Sequence, residues 1–92
     1  MGNTLPPTNY QWIGDTLSFT LDPTITGLKL KYKKDGEIEY RIIFEDKDAA
    51  PTSVLLPSSN GPSGLIWGAT SSESHEEWGP PSIVEITNQP TV

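Results

Sequence analysis

His75 is the only histidine in this chain, and it lies in an acidic run with Glu73, Glu76 and Glu77. An imidazole among carboxylates could hold a transition metal or move protons near neutral pH. Both uses need more than the run supplies. A metal site normally draws three or four converging ligands, often two or more of them imidazoles. General acid–base work needs a nucleophile in a cleft beside the base. Ser71, Ser72 and Ser74 are close by, but serine is common in loops of this kind. Asp46 and Asp48 form a D-x-D, yet Ala49-Ala50-Pro51 follows where a calcium loop needs a glycine and a later glutamate. Asn60-Gly61-Pro62-Ser63-Gly64 lacks the lysine and the helix of a phosphate loop. There is no cysteine, so thiol nucleophiles, zinc–thiolate sites and disulfides are excluded. The expectation is a non-enzymatic protein with no cofactor and no metal.

The aromatic residues are the stronger candidates for a binding role. Trp67 lies in the apolar run Leu65–Ala69 and is assigned to the core. Tyr10 and Trp12 alternate on one face of a short strand and could serve core or ligand. Trp78 stands in a polar loop, after Glu76-Glu77 and before Gly79-Pro80-Pro81. Loop aromatics on a rigid β scaffold offer a large contact area at small entropic cost. The reading that follows is a lectin-like or carbohydrate-binding domain. Trp78, with Trp12 or Tyr10, would stack on a sugar ring, while Asn60, Asp48 or Glu77 takes its hydroxyls. The alternative is a protein–protein module: a phage, virion or appendage structural subunit, or an acidic inhibitor. An acidic all-β chain with a tryptophan-bearing loop has the general look of all these classes, and no single family is marked by its residues.

Charge narrows the partners. The 92 residues carry a formal net charge of −6. Lys29, Lys31, Lys33, Lys34 and Arg41 fall in one short segment, and no Lys or Arg occurs from Asp48 onward. Phosphate-backbone binding depends on many cations, so nucleic acid is not an expected partner. The Lys29/Lys31/Lys33 stripe is read as a solvated sheet face neutralised by Glu37 and Glu39 across a hairpin. No stretch has the roughly 18 apolar residues of a membrane-spanning helix, and Met1–Gln11 lacks the basic and apolar regions of a signal peptide.

These residues need a scaffold, and the pattern is β throughout. Period-2 alternation marks Tyr10–Ile13, Thr16–Leu21, Leu28–Lys33, Glu37–Ile42, Thr52–Leu56 and Ser82–Thr87, with a buried apolar strand at Leu65–Ala69. Proline and glycine punctuate the gaps, above all in Pro57–Gly64 and Thr70–Pro81. A single antiparallel sandwich or barrel of six or seven strands is predicted, with the Leu28–Phe44 hairpin at its centre. Residues 1–9 read as a flexible N-terminal arm, 10–87 as the β-domain and 88–92 as a C-terminal tail.

A three-residue Lys34-Asp35-Gly36 loop would set Tyr32 opposite Ile38, Leu30 opposite Tyr40 and Leu28 opposite Ile42, gathering the apolar residues on one face. The predicted core therefore includes Leu17, Phe19, Leu28, Leu30, Tyr32, Ile38, Tyr40, Ile42, Leu55, Ile66, Trp67, Val84 and Ile86. Thr52–Leu56 and Ser82–Thr87 carry little charge, so a homo-oligomer or a docking edge is expected to use one of these strands.

Overall fold

The computed structural model describes residues 4–73 and 77–89. Seven strands run in chain order: β1 (Thr8–Ile13), β2 (Thr16–Thr20), β3 (Gly27–Lys34), β4 (Arg41–Asp46), β5 (Ser53–Leu55), β6 (Ser63–Ser71) and β7 (Ser82–Gln89). A single 3₁₀ turn at Ser58–Asn60 is the only helical element among the described residues. The strand order is β4-β3-β6-β7-β1-β2-β5. β4 and β5, at the two ends, approach one another, so the sheet nearly closes into a flattened barrel of 37 × 30 × 17 Å. The all-β prediction is met, with one amendment. The sheet is mixed, because β1 pairs with β7 in parallel at Trp12–Asn88 and Ile13–Gln89. Three strands (β5-β2-β1) thus face four (β7-β6-β3-β4), with chain crossings after β2, β4 and β5.

Local chemistry explains the strand ends. Gly14 turns at φ 61° between β1 and β2, where Ile13 stands opposite Thr16. Asp22 closes the next turn by accepting the Thr24 amide at 2.9 Å, as a short carboxylate can do for its own backbone. Asp15 accepts the Ser58 amide at 2.7 Å and ties the first turn to the 3₁₀ segment. Asp46 accepts the Asp48 amide at 2.8 Å, so the D-x-D pair closes a turn.

Inward residues from both halves form one core: Trp12, Leu17, Phe19, Leu28, Leu30, Tyr32, Leu56, Ile66 and Ile86. Trp12 lies at its middle, 1% exposed, edge-on to Tyr32 at 5.8 Å. Its indole N–H donates to the Leu56 carbonyl at 2.7 Å, which satisfies the polar atom that burying a tryptophan brings inside. The Tyr32 hydroxyl is shared between the Asn60 and Ser63 carbonyls at 3.4 and 3.3 Å. The lead segment lies against β6. Thr4 donates to the Thr70 carbonyl, Thr70 donates to the Leu5 carbonyl, both at 2.8 Å, and Pro7 is buried.

The β3–β4 hairpin forms, but in a different register from the predicted one. Its turn starts as expected: Gly36 has φ 93°, and the Glu37 amide donates to the Lys34 carbonyl at 2.9 Å. The chain then runs out to Tyr40 before pairing begins. Tyr32 stands opposite Arg41, Lys31 opposite Ile42 and Leu30 opposite Phe44, with a bulge between the last two pairs. A bulge inserts one residue and reverses the inside–outside phase, which strict alternation cannot anticipate. It lets the consecutive Ile43 and Phe44 both pack on the core. β3 is held along its whole length by β6, from Gly27 opposite Ser71 to Lys34 opposite Gly64. β4 is only an edge strand, free to slide until Phe44 is covered. Ile38 and Ile42 consequently stand outside at 92% and 56% exposure. Leu55 and Val84 are also exposed, and Tyr40 and Trp67 are half-buried rather than core.

Candidate recognition surface

The register of the four-stranded half builds an outer face that strand alternation did not reveal. β3 turns Leu28, Leu30 and Tyr32 inward and Lys29, Lys31 and Lys33 outward. Trp67 of β6 lies opposite Lys31, and Ile83 of β7 lies opposite Trp67. On the other side Ile42 of β4 is opposite Lys31. A single row, Ile42–Lys31–Trp67–Ile83, therefore crosses four strands on one face. Opposed residues in such a row stand about 5 Å apart. Ile42 and Ile83, at its ends, are 56% and 58% exposed. Trp67 and Ile83 are apolar neighbours in this row, while Lys31 separates them from Ile42.

The lysines of this face rest on rings. The Lys31 ammonium lies 4.4 Å from the centre of the Trp67 ring, with Lys29 at 5.9 Å from the same ring. Lys33 lies 5.1 Å from the Tyr40 ring. Contacts of this kind stabilise an exposed cation by about 0.5–1 kcal/mol and hold it in place. Lys29 also pairs with Glu45 at 3.4 Å. Glu37, expected to neutralise Lys33, instead accepts from Arg41 at 3.3 Å and from the Lys34 amide at 2.9 Å. Glu39 lies in the hairpin tip, ahead of the first pair of the β3–β4 ladder.

The residues named from sequence do not converge. Trp12 has no face open to solvent. Tyr10 is half-buried against Phe19, with ring centres 5.7 Å apart. Its hydroxyl points toward Gly68 and Ser82, and neither it nor the Ser82 hydroxyl has a well-aligned hydrogen bond among the described residues. Burial pushes the Tyr10 phenol up to about 12, an effect the Ser82 hydroxyl nearby only partly opposes. Trp78 is half-buried with the Lys47 ammonium 5.3 Å from its ring. Asp48 follows Lys47 in the chain, and Glu77, next to Trp78, is exposed. These three stand at the Gly27 end of β3. Asn60 stands at the opposite end, where its carbonyl meets Tyr32. The eight residues of β3 put roughly 23 Å between the two ends. His75, with Ser74 and Glu76, lies outside the described residues. A groove of about 470 Å³ opens between Tyr10–Gln11 of β1 and Glu85–Thr87 of β7, where the parallel pair has separated.

Trp67, Ile42 and Ile83 are outward-facing residues of this surface that sequence reasoning missed. The signal was present in the adjacent pair Ile66-Trp67: two neighbours in a strand cannot share a face. With Ile66 fully buried, Trp67 must look outward. No family model, no curated protein and no solved structure matches this chain.

Proposed function

We propose that this chain is a non-enzymatic recognition module that binds another protein through the outer face of β4-β3-β6-β7. The observation that carries the reading is the row Ile42–Lys31–Trp67–Ile83. It joins an aromatic ring to two isoleucines more than half exposed, on four hydrogen-bonded strands. Tryptophan is among the residues that dominate binding energy at protein interfaces, and a paired sheet presents it without an ordering cost. Selection of peptides from a displayed library tests this. Ligands selected on the wild type should bind Trp67→Ala or Ile83→Ser at least tenfold more weakly, with melting unchanged. Ligands that bind these variants equally well would refute the face.

A carbohydrate reading retains one specific support: Trp78 is a half-exposed loop aromatic with the Glu77 carboxylate beside it in the chain and exposed. A glycan array read with wild type, Trp78→Ala and Trp67→Ala separates the two. Saturable glycan binding lost only in Trp78→Ala favours the sugar site.

A further inference from the structure

We infer that the partner of this face is an acidic, extended protein segment whose carboxylates are met by Lys31 and Lys33; the inference rests on the reading of the face given above. Among the described residues, no carboxylate lies within ion-pair distance of either ammonium, whereas Lys29 has Glu45 and Arg41 has Glu37. The hairpin register is the cause. It puts Ile42, not an acid, opposite Lys31, and it ends the ladder at Tyr32–Arg41, before Lys33 can acquire a β4 neighbour.

The two charges are held ready. Each ammonium is seated over a ring, at 4.4 Å on Trp67 and 5.1 Å on Tyr40. A carboxylate arriving there meets a donor that has already lost part of its side-chain freedom. Residues two apart on a strand are separated by about 6.6–6.8 Å. The same repeat separates alternate side chains of any extended segment, so a chain lying along β3 with acids at every second position reaches both lysines. The intervening side chains of such a segment point away from this face, so Ile42 on β4 and Ile83 on β7 are left for other parts of the partner to cover. The net charge of −6 does not forbid an acidic partner. Charges beyond about 8 Å are largely screened at physiological salt, so the local face decides. A nucleic acid fits less well, since two or three lysines neutralise few phosphates and isoleucines offer its backbone nothing.

The test is an amide NMR titration of the whole chain with three blocked peptides of alternating sequence: Glu-Val, Gln-Val and Lys-Val repeats. The Glu-Val peptide should shift the amides of Lys31, Lys33, Trp67 and Ile83. It should bind about three- to tenfold more tightly than Gln-Val, as expected for two exposed ion pairs, and more weakly as salt is raised. Lys31→Glu/Lys33→Glu, with melting unchanged, should lose the Glu-Val peptide and gain the Lys-Val one. Equal shifts of the same amides by Glu-Val and Gln-Val would overturn the acidic partner while leaving the recognition face standing. Silence of these amides toward all three peptides would overturn the inference, as would tighter binding of a thymidine oligonucleotide than of Glu-Val.

Discussion

Gly68→Ala is a substitution whose cost is set by one oxygen atom. Gly68 sits in β6 without positive φ, so its backbone suits alanine. Losing glycine there should by itself stabilise the fold by about 0.4–1 kcal/mol, through the unfolded chain. The obstacle is space: a Cβ at this position would lie 2.3 Å from the Tyr10 hydroxyl oxygen. The next nearest atoms are a Pro7 carbon at 3.2 Å and a Leu30 methyl at 3.3 Å, so the remaining Tyr10 atoms are no closer than these. Relief requires the Tyr10 ring to move roughly an ångström against Phe19, an overpacking cost of about 1–3 kcal/mol. Gly68→Ala alone should therefore destabilise by about 1–2 kcal/mol. In a Tyr10→Phe background the offending oxygen is gone, and the same change should be neutral or stabilising. Tyr10→Phe alone should cost little, because the buried hydroxyl has no well-aligned partner to lose. Urea melts of the four proteins, followed by tryptophan fluorescence, close the cycle. The expected coupling is about 1–2.5 kcal/mol, against scatter of about 0.3–0.5 kcal/mol for independent sites. Additive effects would refute the contact.

Three further outcomes follow from the packing and the charges. Tyr32→Ala should cost about 3–5 kcal/mol in the same melts, as truncation of a buried aromatic does; Tyr40→Ala, at the half-buried hairpin tip, should cost less than half as much, and equal losses would return Tyr40 to the core. A phenol held up to about 12 keeps Tyr10 neutral in the fold; its contribution is full below the unfolded value of about 10 and is lost as pH rises from there toward 12. Burial pushes the Tyr32 phenol up as well, so ultraviolet phenolate titration should show late-titrating groups of which one disappears in Tyr10→Phe, and that variant should lose less stability in alkali. Asp15 is held below the ordinary carboxylate range, first by the backbone hydrogen bond from Ser58, so its contribution is present above about pH 4 and falls away on acidification through the lowered value. Asp15→Asn should lose less stability than wild type between about pH 5 and 3, and identical acid profiles would discount the bond.

Much of the scaffold is written locally. Alternation of Leu17 and Phe19, of Leu28, Leu30 and Tyr32, and the breaker loops at Pro57–Gly64 and Thr70–Pro81 were enough to show six or seven strands and the inward face of β3, although β4 begins at Arg41, four residues later than its alternation suggested. Such features are legible because a strand's side chains alternate whatever its partner is. The turn at Gly36 was legible too, since it depends on the backbone freedom of a single residue. Pairing was not. Nothing in Glu37–Ile42 reveals that β3 is claimed by β6 on its other side, leaving β4 as an edge strand that slides to bury Phe44. Nor does local sequence disclose the parallel β1/β7 contact, which joins residues more than seventy positions apart. The candidate surface belongs mostly to this second class: alternation turns the β3 lysines outward, but it does not say which residues lie beside them. Lys31, Trp67, Ile42 and Ile83 become neighbours only when four strands set their registers, and register is a property of the whole sheet.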